Sequence, residues 1–482
     1  MKEHYLLDTE TVKTYLVEQL RLFSPDEPLG AEEIGDGNIN YVFRVRSCVS
    51  GKSIIVKQAD RLLRSSGRPL DITRSRREAE ALRIYATLTP QFIPRVYAYD
   101  DMMSAICMED ISYCGNLRKE LMAGRPLPSN FAENAASFLA DAVFSTSDLF
   151  LPPEKKKERV RAFINPELCA ISETLVFSEP YCNGKNRNRI TAGNEAFVRK
   201  TLYNDEALKA EVASLRETFM NKAEALIHGD LHTGSIFIGC KSSAAIDTHE
   251  TPDRNATSKL PTEPCMKIID PEFAFYGPIG YDLGNIIANL YCSWMYAAFI
   301  RGASDKAKTD TGTQSDITLS QTSGKPSSSA DDFIERIAAA IEALPQLFIV
   351  KALERCKTLP LSDSLYNERY VRRRLSEICA DAYGFAGTEL IRRAVGDTKT
   401  AEFDAMGQDS RRITMERIII QTACRLIKRR RQSHIGAHTV EYCKGSRPQT
   451  FIFFHAPPQA QPDGLPSGTP AVNARAVRTR QT

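Results

Sequence analysis

Leu226–Gly239 reads LIHGDLHTGSIFIG, and Ile268–Gly277 reads IIDPEFAFYG. The first packs His228, Gly229, Asp230 and His232 between apolar ends, so it could be a metal site, a catalytic loop or a polar turn. His228 and His232 stand four residues apart, a spacing that would suit zinc on a helix, but Gly229 and Gly234 make this a loop. A loop aspartate after His-Gly better fits a carboxylate that accepts a hydroxyl proton while the nucleophile is aligned. In the second stretch Asp270 and Glu272 flank Pro271. Two hard oxygen donors there suit Mg²⁺, and a plain polar turn is the alternative.

Upstream, GDGNINYVFRV (Gly35–Val45) starts a strand-rich region. Gly35 and Gly37 permit a tight turn whose N–H groups could cradle phosphate oxygens, although alone this reads as a hairpin turn. SIIVK ends in Lys57, 20 residues after Gly37 (57 − 37). A lysine on the strand after a glycine loop grips the α/β-phosphates in kinases. The helix that follows offers Glu78, and Glu80 as a second choice, to hold the ammonium. Glycine turn, strand lysine, His-Gly-Asp loop and apolar strand into Asp occur in that order. Together they imply a kinase-like phosphotransferase.

The 482 residues are 42% hydrophobic, with 63 basic against 60 acidic side chains. That balance gives no pull toward nucleic acid or an anionic membrane. No apolar run approaches the roughly 20 residues that span a bilayer, and MKEHYLLDTETVKTYLVEQL lacks the features of a signal peptide. The 12 cysteines include no Cys-x-x-Cys pair. Several, such as Cys107 and Cys424, sit in apolar runs and read as reduced core residues of a cytoplasmic protein. Periodicity gives an α+β chain. A small β-rich lobe spans residues 1–110, and a larger, mostly helical lobe spans 111–455, with one strand pair formed by GSIFIG and CMKIID. Residues 241–264, 303–331 and 456–482 are expected to be disordered, because they have too little apolar surface to offset ordering entropy. Lys428–Arg431 fits the basic end of a helix.

HGDLHTGSI and IDPEFAFYGPIGYDLGN resemble the methylthioribose kinase family, within the aminoglycoside phosphotransferase and choline kinase superfamily. EIGDGNINYVFRV, IVKQA, MEDIS, FSTSDL, FINPELCAISETLVFSEPY and GTELIRRAVG are similar to that family too, so the resemblance runs from about residue 5 to about 430. It implies a bilobal protein-kinase-like fold and transfer of phosphate from ATP, with Mg²⁺, to the 1-hydroxyl of 5-methylthioribose, a step of methionine salvage. Asp230 would be the base and would meet the substrate. Asp270 and Glu272 would be the metal ligands. Gly35, Asp36, Gly37, Asn38 and Asn40, with Lys57 held in place by Glu78, would bind the nucleotide, and the backbone of Met108, Glu109 and Asp110 would meet adenine. Arg392 and Arg393 would enter the active site near substrate and transferred phosphate, where guanidinium forks suit phosphate oxygens. Asp282 would brace the loop or simply cap a helix. A homodimer is expected from the family. Most of the superfamily has Asn where this chain has Ser235, and by the resemblance Glu272 would be the compensating carboxylate. DRLLRSSGRPLDITRSR (residues 60–76) departs from the family pattern.

Overall fold

A computed structural model describes residues 3–35, 40–62, 67, 69–241, 263–309 and 329–431. Asp36, Gly37 and Asn38 lie outside the described residues, as do most of 241–264 and 303–331 and all of 456–482.

The N-terminal part is a five-stranded antiparallel sheet, ordered β1-β2-β3-β5-β4. Its strands are β1 (Leu29–Glu33), β2 (Tyr41–Ser47), β3 (Ser53–Gln58), β4 (Val96–Asp100) and β5 (Ala105–Glu109). The period of two divides β3 between two cores. Ile54 and Val56 pack with Phe43, Val45 and the N-terminal residues Val12, Tyr15 and Leu16. Ile55, on the other face, packs near Ala79, Ile106 and Met108. Ala79 belongs to the helix Arg74–Leu88, whose inner face buries Glu78, Ala79, Leu82 and Tyr85.

The remainder is mainly helical. Helices Ile279–Thr309, Glu368–Val395 and Ser410–Arg429 pack together, with Phe177, Phe219, Tyr281 and Phe385 meeting ring to ring in the largest core. The molecule is thus a bilobal α+β fold. The single expected strand pair is a three-stranded sheet, β6-β8-β9, of Cys114–Asn116, Ile236–Lys241 and Glu263–Ile268. A second short pair joins β7 (Ala225–Ile227) to β10 (Phe275–Gly277). Three-residue strands are too short to show alternation, so periodicity misses them.

Ile279–Ile300 corrects a second expectation. The stretch is 22 residues long with a mean hydropathy of 1.2, enough by length and composition to cross a membrane, yet its 18-residue apolar window is 83% buried inside the molecule. Asp282, Asn285, Asn289 and Ser293, all buried, interrupt the apolar run in the linear sequence.

Candidate active site

Lys57 lies on β3 between Val42 of β2 and Ile106 of β5. Its ammonium donates to both oxygens of Glu78, at 2.9 and 2.7 Å, and to Asp270. Glu78 is 1% exposed on the helix's inner face, and this burial selects it over Glu80. Burial opposes the charge on Lys57, but Asp270 and Glu78 outweigh it and raise its pKa. Burial pushes Glu78 up to about 8 against the pull of Lys57. Burial and then the Asp270 charge push Glu272 up to about 7. Burial also works to raise Asp270, but Lys57 prevails and holds its carboxyl below the ordinary value. Carboxylate oxygens of Glu78, Asp270 and Glu272 all lie within 4.8 Å of one another. Burial thus gathers three carboxyls whose hard oxygens crowd one another, and a cation among them would favour the ionised forms of Glu78 and Glu272. That donor set fits a divalent cation such as Mg²⁺.

Arg74, in the segment that departs from the family pattern, is the residue sequence reasoning missed. It is 0% exposed. Its Nη2 donates to Asn40 Oδ1 at 2.9 Å, and its Nε lies 3.6 Å from Glu272 Oε2. Asn40 in turn donates to Glu272 Oε2 at 3.3 Å. The far end of the glycine turn is therefore tied to the Asp-Pro-Glu turn through one guanidinium. Asp270 takes φ 71°, a left-handed conformation that Asp tolerates better than most residues.

The His-Gly-Asp loop follows β7. Asp282 accepts from the N–H of His228 at 2.7 Å and of Gly229 at 3.0 Å. It stands in the first turn of Ile279–Thr309 and braces the loop instead of capping its own helix. Gly229 has φ +81°, and a Cβ there would fall 2.3 Å from the carbonyl oxygen of Phe273. Glycine is required at this crossing. His228 Nδ1 accepts from the N–H of Asp230 at 3.3 Å, which assigns the ring proton to Nε2, 2.9 Å from the carbonyl of Ile269. Both ring nitrogens are then engaged, which argues against a zinc dyad with His232. Ser235 Oγ donates to the carbonyl of Asp230 at 2.9 Å and lies within 3.1 Å of His232 Nδ1, so it closes the loop on itself. The Asp230 carboxylate stays part-exposed, 3.5 Å from His232 Nε2.

Arg392 and Arg393 lie in the last turn of Glu368–Val395. Glu389 holds both: its Oε1 accepts from Arg393 Nε at 2.6 Å and its Oε2 from Arg392 Nη1 at 3.3 Å. Arg393 is thereby drawn inward, 5% exposed. Arg392 Nε is buried without a hydrogen-bond partner among the described residues. Burial opposes the charge on Arg392, but Glu389 and then Asp230 reverse the effect and raise its pKa. Glu389 stands three and four residues before the arginines, a helical pairing that GTELIRR displays in sequence. Behind it, Asn289 links Glu389 to Arg118, which also bonds Thr233 of the loop.

At the end of β5, Met108 is buried. The Glu109 carboxylate accepts from Tyr113 Oη at 3.0 Å and the N–H of Arg95 at 3.1 Å. The Asp110 carboxylate accepts from Ser53 at 2.6 Å and Arg44 at 3.0 Å. Both side chains are committed, and the N–H of Glu109 donates to the carbonyl of Arg95 at 2.8 Å. Gly35 ends the first arm of the hairpin, and a Cβ there would meet nothing within 4 Å.

A strand lysine paired to a helix glutamate, set over a braced aspartate loop in a two-lobed α+β chain, defines the class of kinase-type phosphotransferases acting on an alcohol group. No family model matches the chain. The chain is 35% identical over 427 residues to the methylthioribose kinase of Geobacillus thermodenitrificans, covering 88% of this chain and 92% of that protein. It is 35% identical over 407 residues to the methylthioribose kinase of Exiguobacterium sibiricum, covering 84% and 89%. Among solved structures it is similar to an ethanolamine kinase of Plasmodium vivax at 12% identity and a TM-score of 0.43, covering 89% of this chain and 92% of that one. The chain belongs to the methylthioribose kinase family.

Proposed function

We propose that this protein transfers the γ-phosphoryl group of ATP to the 1-hydroxyl of 5-methylthioribose, giving the 1-phosphate in methionine salvage. Residues 1–110 are the nucleotide lobe and residues 111–455 the catalytic and substrate lobe. The observation that carries the reading is the junction at Lys57, whose ammonium joins the β-lobe glutamate Glu78 to the Asp-Pro-Glu turn at Asp270. Family membership supports the choice of acceptor.

Asp230 accepts the hydroxyl proton as the sugar oxygen bonds to the γ-phosphorus and the bond to the β-γ bridging oxygen breaks. ADP leaves and the proton passes to solvent. Lys57 grips the α/β-phosphates together with groups of the Gly35–Asn40 stretch, and the backbone of Met108–Asp110 meets adenine. Asp270 and Glu272 would hold Mg²⁺, which would supply neutralisation of phosphate charge. Arg392 faces the transferred group, and Arg393, through Glu389, fixes its direction. Positioning and electrostatics supply most of the rate. The protein works in the cytoplasm as a homodimer, with no nucleic-acid or membrane partner.

The test is a coupled ADP-release assay with ATP, Mg²⁺ and methylthioribose, choline, homoserine, kanamycin or no acceptor. Release with methylthioribose alone is expected, and release with a different acceptor overturns the substrate assignment. Asp230→Asn should lower turnover on the order of 10³-fold while leaving ATP binding intact. Near-normal turnover in that folded variant removes Asp230 from the base role.

A further inference from the structure

Cys114 and Cys265 bring their sulfurs to 3.1 Å. That is closer than non-bonded heavy atoms normally settle, about 3.5–4.0 Å for carbon pairs. Nothing in the proposed chemistry uses them. Cys114 opens β6 and is 6% exposed, while Cys265 is half-buried in β9. Both are cross-strand partners of the same residue, Gly239 of β8. A Cβ at Gly239 would fall 3.1 Å from Cys114 Sγ, 3.0 Å from its Cα and 2.7 Å from the carbonyl oxygen of Tyr113. The glycine is therefore what lets two side chains from alternate strands meet across the middle one.

We propose that Cys114 and Cys265 form a dithiol modification site that a small-molecule disulfide oxidises to an intramolecular disulfide, weakening nucleotide binding. Half-buried Cys265 meets the reagent first. Its sulfur attacks R–S–S–R and expels one RSH, leaving a mixed disulfide. The Cys114 sulfur then attacks Cys265 Sγ and expels the second RSH. Two protein thiols and one R–S–S–R thus become one protein disulfide and two RSH. The order follows from access and acidity, because the neighbouring thiol and then burial push the Cys114 thiol up. Lys267, two residues beyond Cys265, places a cation near the pair.

The strand register says what closure does. Disulfide Cα atoms stand about 4.4–6.8 Å apart, and these two strands flank a third, so the bond draws β6 toward β9 over Gly239. β6 follows the Met108–Asp110 segment through Tyr113, whose hydroxyl holds Glu109 at 3.0 Å. β9 leads directly into Asp270. Both ends of the nucleotide site are displaced together. The effect on nucleotide rests on the kinase reading, whereas the dithiol itself does not.

The experiment treats the full chain carrying Cys48→Ser and Cys182→Ser, which removes two exposed thiols, with excess oxidised glutathione. Non-reducing peptide mapping is followed by calorimetric titration with ADP. A Cys114–Cys265 cross-linked peptide and an ADP Kd raised at least five-fold, both reversed by dithiothreitol, are expected. Adding Cys114→Ser or Cys265→Ser should leave the untreated Kd unchanged and abolish the sensitivity. Glutathione retained on Cys265 without the cross-link overturns the proposal, as does an equal loss of affinity in the Cys114→Ser protein. The cross-link with no change in ADP binding overturns the regulatory half alone. Should the protein bind no ADP before oxidation, the kinase reading fails while peptide mapping still decides the dithiol.

Discussion

At the scale of single residues, His232 shows how one ring can serve two ends. Its Nδ1 accepts from the N–H of Gly234 at 3.0 Å and of Ser235 at 3.1 Å, which leaves the proton on Nε2, beside Asp230. Burial, then the cations Arg118 and Arg393, hold its pKa well below the ordinary 6.5, so the ring is neutral. The two nitrogens can be tested apart. His232→Asn keeps an acceptor near the Nδ1 position but has no donor that reaches Asp230. His232→Gln keeps an N–H near Nε2 and loses the inner acceptor. The Asn variant should hold its Tm while kcat falls about 10- to 100-fold, the cost of a misplaced reacting group. The Gln variant should keep kcat within a few-fold and lose about 1–3 kcal/mol of stability for the stranded N–H groups. Thermal melts and steady-state kinetics decide it. If both properties fall together in both variants, the ring is simply structural.

At the scale of elements, the His-Gly-Asp loop depends on a helix that starts about fifty residues later. Burial pushes the Asp282 carboxyl up to about 6, against the pull of His228 and of the two N–H groups it accepts. Its folded value lies above the ordinary 3.8, so the folded protein holds this proton more tightly than the unfolded chain does. Stability from this group is therefore greatest at low pH and declines as pH rises from about 4 to about 6, by roughly 3 kcal/mol. Activity should run the other way. Protonation turns an acceptor oxygen into a donor facing an N–H, so kcat is expected to fall as pH drops through about 6. Asp282→Asn should show a lower plateau without that limb. An unchanged limb in the variant would assign it elsewhere. Elements also show what was legible in advance. The apolar run into Lys57 and the glycines around Asp230 announce themselves, because strand alternation and helix-breaking are local. The choice of Glu78 over Glu80 was not legible, since only packing against Ile106 and Met108 decides which acid faces inward. β6, β7 and β10 were hidden by their shortness, and the apolar length of the helix Ile279–Thr309 by polar residues that find partners only after folding.

At the scale of the whole molecule, what joins the lobes at the site is a charge network, and sequence hid its centre. Arg74 sits among eight basic side chains between Lys57 and Arg83, and nothing local marks it as the one that is buried. Its Nη1 donates to the carbonyls of Asp60 and Asp71 at 3.1 and 3.0 Å, while Nη2 and Nε reach Asn40 and Glu272. From the other side, Asn165 Nδ2 donates to the carbonyl of Glu272 at 3.0 Å. The Asp-Pro-Glu turn is thus clamped between the β-rich lobe and the helical one. Arg74→Met keeps much of the volume but strands the Glu272 carboxylate and Asn40, which should cost about 3–5 kcal/mol. Arg74→Lys should recover little, because an ammonium cannot reproduce the fork. The stranded charge is the larger part of that cost. Neutralising it with Glu272→Gln in the same chain should therefore return at least about 1 kcal/mol, although the double variant will lack a metal ligand and turn over poorly. Urea unfolding of the wild type, both single variants and the double variant closes the cycle. Additive losses would mean that Arg74 stabilises only its own lobe, through the carbonyls of Asp60 and Asp71, and that the two lobes meet at this site without it.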